Sequence, residues 1–189
     1  VARGGQGLAR MAVVVRAGAA PLWWSGVCAA GIGLLVPGLT GRRIGVLAGA
    51  ALFLLAAVVV AAWRRKRYAA LVRSAARAGK HDVLQDRAVT LRNWRRGHRW
   101  WLLLAFAGAL GASLLLPAAG GMLLAGAGAG LWLKAARLGR VERAAQELIW
   151  VRVDWLGPRA GAPAGKPVRA VRSTGPAAGD AAPGGARRR

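Results

Sequence analysis

His81, Asp82 and Asp86 are the only place in this 189-residue chain where metal-binding side chains gather. Asp82 and Asp86 would share a helical face one turn apart, with His81 adjacent. Two or three ligands among arginines, with no nearby cysteine or further acid, fall short of a zinc set. The acids fit better as negative charge at the start of a helix. No metal or cofactor is expected. Trp94, Arg95 and Arg96 form a second cluster, able in principle to contact phosphates and stack a base. Tryptophan beside arginine is equally what anchoring at a lipid headgroup layer produces, and that reading is preferred. Ser25 and Ser113 lie in apolar runs with no acid, histidine or lysine to activate them, so no hydrolytic nucleophile is expected. Cys28 is the single cysteine, which excludes an internal disulfide and a cysteine zinc cluster. The chain is not expected to be an enzyme.

The elements that position these groups are set by segregation. The chain is 56% hydrophobic yet carries a net charge of +23, and the two properties occupy different segments. Residues 17–39 and 44–63 are uncharged runs joined by a turn containing Arg42 and Arg43. Each is long enough, at about 1.5 Å per residue, to cross the roughly 30 Å hydrocarbon layer. Residues 100–116 and a run ending at Leu133 form a second, shorter pair around Pro117, read as spanning or re-entrant. The apolar runs hold no ionisable residue other than Cys28. That argues against ion pumps and proton-coupled carriers, which need such groups within the bilayer. A pore lined by small residues stays open.

Both pairs open with Trp-Trp, at Trp23 and Trp24 and at Trp100 and Trp101. They close with Trp63 and Trp132, and their turns follow a Leu-rich stretch ending in proline, which suggests an internal duplication. Indole rings favour the headgroup layer. The turns carry only Arg42 and Arg43 of the 29 Lys and Arg; the remainder lie before, between and after the pairs. Positive charge on that side predicts that it is cytoplasmic. Arginine far outnumbers lysine, as GC-rich coding produces, which suggests a high-GC bacterium. The apolar runs then place the chain in its inner membrane as an expectation. The chain opens with Val1, so Met11 is a candidate start, and an uncleaved anchor is expected rather than a cleaved signal.

Close helix packing is expected at small residues four apart: Gly45 and Gly49, Ala107 and Gly111, Gly126 and Gly130. The basic stretch 64–99 reads as a helical pair. Its first helix carries Tyr68, Leu71, Val72 and Ala75 on one stripe, and its second carries Val83, Leu84, Ala88 and Leu91. Residues 134–156 read as an amphipathic helix with Leu138, Val141, Ala145 and Leu148 on one face as a partner surface. Arg143 and Glu147 are spaced to pair, and residues 149–156 suit either a helix or a short strand. Beyond Gly157 the Gly- and Pro-rich tail is expected to be disordered.

The sequence thus predicts an all-α membrane protein with four short transmembrane helices in two hairpins. The segments are a basic N-terminus (1–16), hairpin 1 (17–63), a basic cytoplasmic helical segment (64–99), hairpin 2 (100–133), an amphipathic cytoplasmic helix (134–156) and a disordered basic tail (157–189). Both termini are expected in the cytoplasm. The lipid-interface residues are Trp23, Trp24, Trp63, Arg64, Arg65, Lys66, Arg67, Arg95, Arg96, Arg99, Trp100, Trp101 and Trp132. The expected role is a non-catalytic accessory or scaffold contacting anionic lipid and a protein partner or a second copy. A membrane-tethered nucleic-acid-binding accessory is the alternative, and a small pore or membrane-perturbing protein a weaker one.

Overall fold

The computed structural model describes residues 7–36, 41–63, 70, 75–78, 83–85, 87–152 and 171–175. The protein is mostly helical, with three helices long and apolar enough to cross a membrane, and it also contains a small sheet. The elements are β1 (Gly7–Arg10), α1 (Met11–Ala17), α2 (Ala19–Leu35), α3 (Arg42–Ala62), β2 (Ala76–Arg77), β3 (Val83–Leu84), α4 (Arg87–Leu115), α5 (Ala119–Ala145), β4 (Leu148–Arg152) and β5 (Val171–Thr174). The three candidate spans are Met11–Leu35, Arg42–Ala62 and Arg87–Leu115. The glycines and Lys134 of α5 dilute its apolar character. The chain divides into two compact units, Val1–Val14 with Arg64–Gly97 and Ala135–Arg189, and Val15–Trp63 with His98–Lys134.

The first unit is organised by a five-stranded sheet in the order β2-β5-β4-β1-β3. β4 pairs antiparallel with both β1 and β5, and the edge strands β3 and β2 pair parallel to β1 and β5. Ile149, Trp150 and Val151 give β4 the β-branched and aromatic character of a strand. Leu8, Leu148 and Trp150 make a buried cluster with Ala78 and Leu84 against it. Trp150 Nε1 donates to Thr174 Oγ1 at 2.6 Å, so the buried indole keeps its polar contact.

This sheet corrects the all-α expectation in five places. Ala76 and Arg77, within the basic stretch expected to be a helical pair, form the edge strand β2. Residues 7–10, before the candidate start at Met11, form an inner strand with Leu8 1% and Ala9 0% exposed. Val83 and Leu84, assigned to the second helix of the basic stretch, form an edge strand, and the helix begins at Arg87. Leu148 to Arg152 takes the strand alternative and is not helical. Residues 171–174, within the segment expected to be disordered, pair with β4 and bury Val171 and Ser173. Five short segments, mostly far apart in sequence, satisfy one another's backbone groups, and no local pattern reports such pairing.

In the second unit the interior is made of small residues. Gly26 on α2 and Gly121 on α5 lie backbone to backbone, and a Cβ on either would strike the main chain of the other helix. Gly126 sits equally close to the Phe53 carbonyl of α3. A Cβ on Gly130 would come within 2.7 Å of the Ala57 carbonyl oxygen, also on α3. Ala29 of α2, Ala109 of α4 and Leu124 of α5 form a buried cluster with Leu22, Ala105, Phe106 and Leu110 packed on it. α5 therefore touches α2, α3 and α4, and its glycines let the backbones approach. Between α4 and α5, Ala118 takes a left-handed conformation (φ 64°), and the buried Ser113 Oγ accepts the Gly121 N–H at 2.8 Å. That bond satisfies one of the unpaired donors at the start of α5.

Candidate functional site

The sites expected from sequence separate into interfacial, packing and partner residues, and the structure treats the three sets differently. Among the interfacial residues, Trp24, Trp63, Trp100 and Trp101 are exposed, Trp100 being 67% accessible. Trp23 and Trp132 are half-buried and pack on each other, with ring centroids 5.5 Å apart. Trp23 also meets Phe53 edge-on at 6.1 Å. These two rings therefore contribute to helix packing as well as to any interface. Arg95, Arg96 and Arg99 are exposed on α4, and the Arg99 guanidinium lies over the Trp100 ring, 5.5 Å from its centroid. Arg64, Arg65, Lys66 and Arg67 lie outside the described residues, as do His81, Asp82 and Asp86.

Lys134 has a structural task at the end of α3. Its Nζ donates to the Trp63 carbonyl at 2.9 Å, placing positive charge on the carbonyls that a helix C-terminus leaves unpaired.

Of the packing residues, Gly45 and Gly49 face the α4–α5 turn and the start of α5. A Cβ on Gly45 would come within 2.6 Å of the Pro117 carbonyl oxygen, and one on Gly49 within 3.2 Å of Met122 Cγ. Gly126 and Gly130 pack on α3 as described. Ala107 and Gly111 differ: both are exposed, and a Cβ on Gly111 meets nothing within 4 Å. Among the described residues, nothing packs on Gly111 at that distance.

The expected partner face is divided. Leu138 is buried, Val141 and Ala145 are exposed, and Leu148 has left the helix for the buried side of β4. The cause is a helix stop at Gln146, which takes φ 52°. The Gln146 N–H donates to the Arg143 carbonyl and the Glu147 N–H to the Glu142 carbonyl, the two bonds of a Schellman termination. The stop also removes the expected Arg143–Glu147 pairing. Arg143 Nε donates to the Gly139 carbonyl at 3.1 Å, and Glu147 lies past the helix end.

The residue that sequence reasoning missed is Glu142. Its side chain is 1% exposed, and Arg10 at the end of β1 donates to Oε2 through Nη2 at 2.6 Å and Nε at 3.1 Å. Oε1 accepts the Ile149 N–H at 3.4 Å, a long bond. One carboxylate therefore ties β1, the end of α5 and β4 together. A signal was present: Ala135, Leu138 and Glu142 recur at spacings of three and four, so an acid occupies a core position of an otherwise apolar stripe.

The serine hydroxyls of the apolar runs are engaged structurally. Ser25 Oγ donates to the Pro21 carbonyl at 2.7 Å, and Ser113 caps α5. Among the described residues, no three His, Cys, Asp or Glu side chains gather into a metal-binding group. No family model, no curated protein and no solved structure matches this chain.

Proposed function

We propose that the protein is a multi-pass inner-membrane scaffold, with four helices in two hairpins and both termini in the cytoplasm. Its basic cytoplasmic face contacts anionic lipid and holds a protein partner, and it carries no catalytic centre. The observation that carries this reading is the composition of the sheet. β1 precedes the first apolar pair, β2 and β3 lie between the pairs, and β4 and β5 follow the second. Strands hydrogen-bonded in one sheet belong on one side of a bilayer, which supports a reading in which each apolar pair returns to the side it left. The charge distribution supports the cytoplasm as that side. Large apolar side chains on the outside of α3, including Leu47, Leu54, Leu55 and Val58, support lipid as the surrounding medium.

Thiol labelling of the full chain in a Cys28→Ser background tests the topology. Gly41→Cys is expected to react with an impermeant reagent in intact spheroplasts, and Glu147→Cys only after lysis. The opposite pattern would overturn the orientation. Reaction of both residues before lysis would overturn the two-hairpin arrangement. The scaffold role is tested with protein reconstituted in phosphatidylglycerol-containing vesicles. Salt-sensitive binding of duplex DNA there would assign the basic face to nucleic acid instead.

A further inference from the structure

Five arginines, Arg87, Arg92, Arg95, Arg96 and Arg99, occupy the first half of α4, and that helix contains no acid. Arg92, Arg96 and Arg99 follow at spacings of four and three and so share a face, with Arg95 beside them. All four are exposed. Like charges on successive turns repel, so the helix gains whenever an anion settles among them. The face continues at the same spacing through Leu103 and Ala107, both also exposed. Trp100 stands at the change from charged to aliphatic, holding the Arg99 guanidinium over its ring. One helix face thus passes from cations through an indole to bare hydrocarbon.

We propose that this face of α4 binds an anionic glycerophospholipid, its phosphate held between Arg96 and Arg99 and an acyl chain lying along Leu103 and Ala107. Residues three apart on a helix stand about 5–6 Å from each other at Cβ, a span that one phosphate bridges between two guanidinium forks. Duplex DNA would use the same cations but has no hydrocarbon to lay on Leu103, and this difference favours lipid. The inference rests on the membrane reading above.

Full-length protein in detergent is titrated with phosphatidylglycerol or phosphatidylcholine, and retained lipid is counted by native mass spectrometry. The wild-type chain is expected to prefer phosphatidylglycerol by about tenfold or more, as cooperating cations near a surface would give. R96Q/R99Q removes most of that preference. R137Q/R140Q, which deletes the same charge from α5, keeps it. Equal loss in both variants reduces the effect to general attraction and overturns the site, as does an unchanged preference in R96Q/R99Q. Equal retention of the two lipids by the wild type overturns it without recourse to any variant. Displacement of phosphatidylglycerol by an equimolar short DNA duplex assigns the face to nucleic acid. Carbonate extraction separates the two levels of the argument. Protein released from membranes refutes the membrane reading, whereas protein that stays embedded without lipid preference refutes the site alone.

Discussion

The two units bury opposite kinds of residue. In the sheet unit the interior is Leu8, Leu148 and Trp150, large side chains removed from solvent in the manner of a water-soluble domain. In the helical unit the interior is Gly26, Ala29, Gly33, Gly49 and Ala57, while Leu47 on the outside is 71% exposed. Large residues inside gain from leaving water, at about 25 cal/mol per Å² of apolar surface. Lipid removes that gain, so helices associate by close contact between small residues, and large ones face outward at no cost. Each unit is therefore packed for a different solvent. Substitutions of the same chemical type should have unequal effects in the two.

The strongest break is expected at Arg10. Arg10→Ala leaves the Glu142 carboxylate buried with, among the described residues, only the long bond from Ile149 N–H, and stranding a buried charge costs about 3–5 kcal/mol. The sheet unit of the reconstituted full chain should then become sensitive to limited proteolysis while the helical unit stays protected. Adding Glu142→Leu to Arg10→Ala should restore much of the resistance, since an apolar residue of similar size leaves no charge behind. Failure of the double variant to recover would show that Arg10 acts through something other than the ion pair.

Leucine truncation sharpens the contrast directly. Leu8→Ala empties a fully buried position and should destabilise the sheet unit by about 2–5 kcal/mol. Leu47→Ala removes the same atoms from an exposed position and should change the thermal stability of detergent-solubilised protein by less than about 0.5 kcal/mol. Similar losses at both positions would mean that Leu47 is covered by a partner.

Glycine substitution reverses the sign within one unit. Gly126→Ala drives a Cβ into the Phe53 backbone, and main chain yields less readily than a flexible side chain. Overpacking of this kind costs about 1–3 kcal/mol. Gly111→Ala meets open space and should be neutral or stabilising by up to about 1 kcal/mol, the helix-propensity difference. Thermal aggregation midpoints of the two variants distinguish these outcomes. A large loss at Gly111 would indicate that its face is occupied by another chain.

The helical unit was far more legible in sequence than the sheet. Uncharged runs and terminal tryptophans mark helices locally, and α3 lies almost where its 20-residue run placed it. Gly45, Gly49, Gly126 and Gly130 were marked by four-residue spacing, and all four pack in close contact. The same spacing also marked Ala107 and Gly111, both exposed, and a Cβ on Gly111 meets nothing within 4 Å among the described residues. Spacing reports a face and not what lies opposite it. The strands were hidden for a different reason. β2 and β3 are two residues long, and their partners are remote in sequence, so alternation has no room to register. The Gln146 stop was hidden because glycine, the usual marker of a left-handed cap, is absent there.

That missing glycine gives the smallest test. Gln146 and Ala118 both hold positive φ, 52° and 64°, Gln146 just past the end of α5 and Ala118 just before its start. An L-residue in this region is strained by about 1–2 kcal/mol, and glycine relieves the strain while losing part of the gain to a freer unfolded chain. At Gln146 the side chain is exposed and gives up only a solvent-facing bond from Nε2 to the Arg143 carbonyl, so Gln146→Gly should stabilise the sheet unit by up to about 0.5 kcal/mol. At Ala118 the methyl is buried, and removing it forfeits about 0.8 kcal/mol of packing, so Ala118→Gly should be close to neutral. Hydrogen exchange on the full-length protein reads both positions at once. Greater protection of β4 amides in Gln146→Gly, without a matching gain across the α4–α5 turn in Ala118→Gly, is the expected result. Equal gains at both would mean that the buried methyl of Ala118 contributes nothing to the packing of its unit.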